Sequence, residues 1–250
     1  MNPTRIAIID DEQPARARMR ELLGDCASEF PHVIAGEAAN GFDGLQLVSE
    51  GGTDLALVDI HMPGMSGIEF ARHALVLERP PVVIFVTAHD QYAVQAFEVN
   101  AVDYLLKPVR AARLLAALKK SGGAQLPREV LERIDPNPRH YFSVAERGRV
   151  TLVPVAEVLF LKAELKYVTV RTRAREFLLE ESLSQLEGEF ADVFVRIHRN
   201  CLVARKLIRS VERGSSEEGE AGWSVLLEGW EEKLPVSRRQ WPSLKELLKA

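Results

Sequence analysis

The chain has 250 residues, 46% of them hydrophobic and 27% charged, and a formal net charge of −4; this length is expected to give two compact domains, each able to bury its own core. Its two cysteines, Cys26 and Cys201, lie far apart, which argues against a disulfide framework. No apolar run reaches the about 18 residues of a membrane span, and acids follow the short apolar run at the N-terminus directly, unlike a signal peptide, so a cytoplasmic protein without a membrane partner is expected.

The first 120 residues alternate strand and helix signals. Short runs rich in Val, Ile and Leu at 5–9, 32–36, 54–58, 82–86 and 102–106 suit strands covered on both faces. Helical stretches lie between them, near 13–24, 41–50, 66–77, 90–97 and 110–120. Five such units predict a parallel sheet with helices on both sides. Gly122, Gly123, Pro127, Pro136 and Pro138 then break the rhythm and mark 121–138 as a linker with one short helix in its middle. From 139 the period changes to two. YFSVAE, RVTLVP, VLFLKA, KYVTVRT, EFLLEE, VFVRIH, LIRSVER, WSVLLEG and KLPVS read as strands. Ser182 opens a short helix with Gln185 placed for a capping box, and a last amphipathic helix uses Leu244, Leu247 and Leu248. The expected division is therefore an α/β domain over 1–120, a linker over 121–138 and a β-dominated domain over 139–250.

Charge follows the same division. Residues 1–120 carry a net −5 and residues 139–250 a net +2, although acids cluster in the latter at Glu217, Glu218, Glu220 and between Glu228 and Glu232. The remainder of the second half is distinctly basic, which is compatible with a polyanionic partner. The glutamate cluster is expected to form a hairpin turned away from such a partner.

Asp10 and Asp11 end the first predicted strand, Asp59 the third and Thr87 the fourth; Lys107 follows the fifth. In an open parallel sheet, functional groups collect beyond the carboxyl ends of the strands. Three carboxylates there repel one another unless a cation sits among them, and hard oxygen ligands select Mg²⁺. Asp59 can then act as a nucleophile toward a phosphoryl group, with the cation, the Lys107 ammonium and the Thr87 hydroxyl holding the phosphoryl oxygens. His61 and His89 flank this pocket and read as solvated loop histidines. The C-terminal half offers no metal-ligand cluster, Gly-rich phosphate loop or nucleophile–base pair, so an enzyme is not expected.

The segments IIDDE (8–12), LVDIHMPGMSG (57–67), VTAHD (86–90) and DYLLKP (103–108) resemble the receiver domains of two-component systems. The resemblance implies a flavodoxin-like fold, a five-stranded parallel sheet with flanking helices. It assigns Asp59 as phosphoacceptor, and Asp10, Asp11, Asp59 and the backbone carbonyl of His61 as Mg²⁺ ligands. Thr87 and Lys107 correspond to the switch hydroxyl and the phosphoryl-binding lysine, and Tyr104 to the aromatic that reorients on activation.

The segments VLFLKAELKYVTV (158–170), SLSQLEGEF (182–190), FVRIHRNCLVARKLI (194–208) and LPVSRRQWPSLK (234–245) resemble the LytTR-type DNA-binding domain. Such domains bind through loops between strands, which makes Lys166, Tyr167, His198, Arg199, Asn200, Arg238 and Arg239 the candidate DNA contacts, Asn200 and Arg238 matching best. Together the two resemblances imply a phosphorylation-regulated transcriptional regulator, acting stoichiometrically as a switch. Its implied partners are a cognate sensor histidine kinase, double-stranded DNA, the transcription machinery and, when phosphorylated, a second copy of itself. An alternative keeps the DNA-binding role and makes the receiver a phosphorylation-independent protein-interaction scaffold. A scaffold needs neither Asp59 nor Lys107.

Overall fold

The computed structural model describes residues 3–88, 104–121, 127, 130–131, 134–146, 149–215 and 221–248. The helix expected near 90–97, His89 and the glutamates Glu217, Glu218 and Glu220 lie outside them. The chain divides into two compact units, one of Met1–Asn137 with Ala145–Thr151, the other of Pro138–Val144 with Leu152–Ala250.

In the first unit β1 (Thr4–Ile9), β2 (His32–Ala38), β3 (Leu55–Val58), β4 (Val82–Thr87) and β5 (Tyr104–Leu106) form a parallel sheet in the order β2-β1-β3-β4-β5. Helices α1 (Gln13–Cys26), α2 (Gly41–Ser49), α3 (Gly67–Ala74) and α4 (Ala111–Lys120) flank it. The unalternated apolar runs are explained by burial on both faces: every residue of β3 and β4 is buried. On one face Ile6, Ile8, Leu57 and Ile84 pack with Leu22 and Leu23 of α1 and Leu114 and Leu118 of α4. Polar caps fix where two helices start. Asn40 accepts a hydrogen bond from the Asp43 N–H, and Ser66 from that of Glu69. The order is that of the flavodoxin-like class expected from the sequence.

The 121–138 segment is not a free tether where it is described. Val130, Leu131 and Ile134 are buried. The Arg72 guanidinium of α3 donates to the carbonyls of Asn137, at 3.0 Å, of Leu131, at 3.2 Å, and of Asp135.

The second unit is strand-rich. Strands β8 (Val158–Glu164), β9 (Tyr167–Thr172), β10 (Glu176–Leu179), β11 (Phe194–His198) and β12 (Cys201–Ala204) form an antiparallel sheet in the order β10-β9-β8-β12-β11. The three-stranded sheet of β13 (Ile208–Ser215), β14 (Ala221–Leu227) and β15 (Leu234–Val236) adds to it, and the hairpin of β6 (Tyr141–Glu146) and β7 (Arg149–Pro154) has residues in both units. Strand alternation divides the central sheet between two cores. Leu202 and Ala204 of β12 join Phe142, Val153, Leu186 and Phe190 on one side. Cys201 and Val203 join Val225, Val236 and Leu244 on the other. Helix α5 (Leu183–Glu189) belongs to the first core, and α6 (Trp241–Leu247) to the second. Ser182 and Gln185 form the expected capping box.

Two expectations need correction. Strand β12 does not stand out as a strand in the sequence: Cys201–Ala204 is four residues long and buried throughout, so it shows no period-two pattern. In α6 Leu244 is fully buried, but Leu248 is 47% exposed, because it follows the last helical turn and leaves the core.

Candidate functional site

Parallel alignment of the strands brings groups from distant segments to the carboxyl edge of the first sheet. The Asp59 N–H donates to the Ile9 carbonyl at 2.8 Å, setting the end of β3 level with that of β1. The Lys107 N–H donates to the Thr87 carbonyl at 2.8 Å and ties the ends of β4 and β5 together. Carboxylate oxygens of Asp10, Asp11 and Asp59 consequently lie within 4.8 Å of one another. Lys107 Nζ stands 2.7 Å from Asp10 Oδ2 and 3.6 Å from Asp59 Oδ2. Asp10, Asp59 and Thr87 are buried, and Asp11 is exposed. Tyr104, the first residue of β5, is buried two residues back from that edge and paired with Phe85 in the β4–β5 register. The His61 side chain is exposed in the loop after Asp59.

Electrostatics match this geometry. Burial pushes the Asp59 carboxyl above its ordinary value, and the Asp10 and Asp11 carboxylates add to that; the Lys107 ammonium and the Ile60 N–H, 2.9 Å from Oδ1, pull the other way. For Lys107 burial acts downward, but the hydrogen bond to Asp10 and the charges of Asp59 and Asp10 outweigh it and hold the ammonium protonated above its usual range. Three carboxylates beside one ammonium leave a surplus of negative charge. The donors are all oxygen, the set a hard divalent cation takes.

Two supports escaped sequence reasoning. Arg16 Nη1 donates to the backbone carbonyls of Asp10, at 2.8 Å, and Asp11, at 3.3 Å, fixing the loop that carries both acids. In RARMR it reads as part of a solvated helix face. Gly67 starts α3 directly against β3: a Cβ there would sit 2.1 Å from the Asp59 carbonyl oxygen.

The second set of predicted residues gathers at one end of the central sheet of the other unit. The turn of Leu165 and Lys166 joins β8 to β9, and the turn of Arg199 and Asn200 joins β11 to β12. The Ala163 N–H donates to the Asn200 carbonyl at 2.8 Å, and the Ser237 N–H to the Ile197 carbonyl at 2.9 Å. These bonds set both turns and the segment after β15 side by side. Lys166, Arg199, Arg238 and Arg239 are exposed there, and Tyr167, His198 and Asn200 half-buried. His198 Nδ1 bonds Asn200 Oδ1, orienting the amide. Arg196, absent from the predicted contacts, braces the turn: it donates to the Arg199 carbonyl at 2.8 Å while paired with Glu187 at 2.7 Å. The arrangement presents positive charge and hydrogen-bonding groups along one edge.

Comparison with known proteins agrees with both halves. Residues 6–119 match the response regulator receiver domain, and residues 148–249 the LytTr DNA-binding domain. The Positive alginate biosynthesis regulatory protein of Pseudomonas aeruginosa is 39% identical over 249 residues, spanning 97% of this chain and 98% of that protein. The Sensory transduction protein LytT of Bacillus subtilis is 28% identical over 247 residues, 98% of each. The crystal structure of the response regulatory domain of protein mrkE from Klebsiella pneumoniae, 29% identical, covers 47% of this chain and 93% of that one, with a TM-score of 0.42. The chain belongs to the response regulators that join an N-terminal receiver to a C-terminal LytTR DNA-binding domain. It is a phosphorylation-regulated DNA-binding regulator of a two-component system. Regulators that carry a DNA-binding domain are typically not enzymes. Among the described residues no helix is long and apolar enough to cross a membrane.

Proposed function

We propose that Asp59 accepts the phosphoryl group and that Asp10, Asp11, Asp59 and the His61 carbonyl hold a Mg²⁺ ion beside it. The observation that carries this reading is the meeting of three carboxylates within 4.8 Å with Lys107 at 2.7 and 3.6 Å. When bound, Mg²⁺ supplies charge neutralisation for the three carboxylates and the phosphoryl oxygens. An Asp59 carboxylate oxygen attacks the phosphorus of the donor, the phosphohistidine of a sensor histidine kinase. The new P–O bond forms as the P–N bond breaks, and the imidazole leaves with the electron pair and takes a proton. Lys107 and Thr87 hold the transferred oxygens, and Arg16 keeps the Asp10–Asp11 loop in place. The domain extents we propose are 1–120 for the receiver, 121–138 for the connecting segment and 139–250 for the DNA-binding domain.

Thr87 and Tyr104 form the switch in this reading: Thr87 is drawn to the phosphoryl group and Tyr104 turns with it. They lie on adjacent strands, Thr87 paired with Leu106 and Tyr104 two residues before it with Phe85, so the pair can bias a two-state surface. That surface serves a homodimer of the phosphorylated form, which acts in the cytoplasm with the transcription machinery. Lys166, Tyr167, His198, Arg199, Asn200, Arg238 and Arg239 contact DNA, Arg238 and Asn200 reading base edges and Lys166 a phosphate.

Incubation of the full chain with Mg²⁺ and acetyl phosphate, followed by peptide mass spectrometry, should place one phosphoryl group on Asp59. Asp59→Asn should abolish it, and label persisting on another residue would contradict the assignment.

A further inference from the structure

The hairpin of β8 and β9 closes through two residues, Leu165 and Lys166, because Glu164 pairs with Tyr167. Leu165 has φ +52° and is the one non-glycine among the described residues in the left-handed region. That backbone presses a Cβ toward the following carbonyl oxygen, which is why Gly, Asn or Asp usually fills such turn positions. A leucine could offset the strain by packing. Leu165 does not, because its relative exposure is 111%. Neither backbone preference nor the core accounts for an isobutyl group at this tip. An outlier of this kind points to a function outside the fold.

Location narrows the function. The backbone bonds from Ala163 to Asn200 and from Ser237 to Ile197 place the tip at the sheet end that carries Asn200 and Arg238. Lys166 Nζ lies 5.6 Å from the Tyr167 ring centroid, and the Glu164 carboxylate is paired with Lys162 at 2.6 Å, which offsets the one acid beside the turn. A polyanion can therefore approach Leu165 closely. Of the four bases, thymine presents a methyl group on its major-groove edge, and an apolar side chain recognises it.

We propose that Leu165 is a specificity-determining residue that seats its isobutyl group against a thymine methyl, beside the polar contacts of Lys166, Asn200 and Arg238; this rests on the reading of that sheet end as the DNA-binding edge. The test uses duplexes selected by the full chain from a random-sequence pool. Each thymine is replaced in turn by deoxyuridine, which removes the methyl and keeps the pairing. Wild type should lose about fourfold in affinity at a particular thymine of the selected site, the worth of one buried methyl at about 0.8 kcal/mol. Leu165→Ala should bind the parent duplex that much more weakly and be indifferent to that replacement. Leu165→Gly should show the same loss with a Tm no lower than wild type, since glycine adopts the left-handed turn without strain; this separates a lost contact from a lost fold. Unchanged specific affinity in both variants overturns the proposal, as does a thymine dependence that Leu165→Ala retains. If Arg238→Ala loses specific binding while the Leu165 variants do not, the DNA-binding edge stands and the role of Leu165 falls. If the full chain enriches no sequence from the pool, both fall.

Discussion

A carboxylate buried beside two others is held at a cost to the fold, and in this receiver that cost falls on Asp59. Its folded value lies above the ordinary one, chiefly through burial. A raised carboxyl contributes stability only below its unfolded value, and loses it as pH rises through the folded value. At neutral pH, without divalent cation, Asp59 therefore destabilises the receiver. Asp59→Asn should melt above wild type in EDTA at pH 7, and its advantage should shrink as pH falls through the carboxylate range. Adding Mg²⁺ should raise the wild-type Tm by mass action and leave Asp59→Asn much less affected. Thermal melts across pH, with and without Mg²⁺, would show this; a variant less stable than wild type in EDTA would contradict the electrostatic account. At this level the sequence is informative because the pocket residues end or directly follow four separate strand-like runs. The braces are not legible, because Arg16 and Arg196 look like surface charges until the backbone carbonyls they bind are known.

Helix α5 shows how a short element persists at seven residues, below the length at which an isolated helix is stable. Leu183 and Leu186 are buried against the first core of the second unit, and the Ser182–Gln185 box satisfies its first amide groups. Ser182→Ala should cost about 1 kcal/mol, read as a lower urea midpoint at unchanged slope. No shift in the midpoint would mean that core packing alone holds the helix. Serine followed by glutamine three residues on is a local signal, so this start is visible in the sequence. β12 is not, because a central strand only four residues long, buried on both faces, lacks alternation and gains its register from β8, some forty residues earlier. Arg139 is similarly hidden. Its side chain is 4% exposed and paired with Glu181 at 2.9 Å and Glu189 at 3.0 Å, partners 42 and 50 positions away.

Over the whole chain, the modest net charge of residues 139–250 means that DNA affinity rests on local basic loops and base contacts. Two kinds of variant should then separate in titrations at several salt concentrations. Arg238→Ala should cost about 1–3 kcal/mol on the selected site and little on random duplex. Lys166→Ala should weaken both and reduce the salt slope by about one. If Arg238→Ala and Asn200→Ala both leave specific affinity unchanged in a folded protein, the DNA-binding edge lies elsewhere in the domain. The two-domain plan is legible because the hydrophobic period changes from that of an α/β alternation to two near residue 139. The burial of Val130, Leu131 and Ile134 and the Arg72 bonds to the Leu131 and Asn137 carbonyls are not, since glycine and proline also mark segments that fold against a neighbour.

The expected link between the two domains is a change in DNA binding when Asp59 is occupied. Its most direct measurement is the affinity of the full chain for a selected duplex, with and without Mg²⁺ and beryllium fluoride, a phosphoryl mimic, in wild type and Asp59→Asn. The expected result is that the mimic shifts wild-type affinity, requires Mg²⁺ to do so, and has no effect on Asp59→Asn. Equal wild-type affinity with and without the bound mimic, or the same shift in Asp59→Asn, would contradict it.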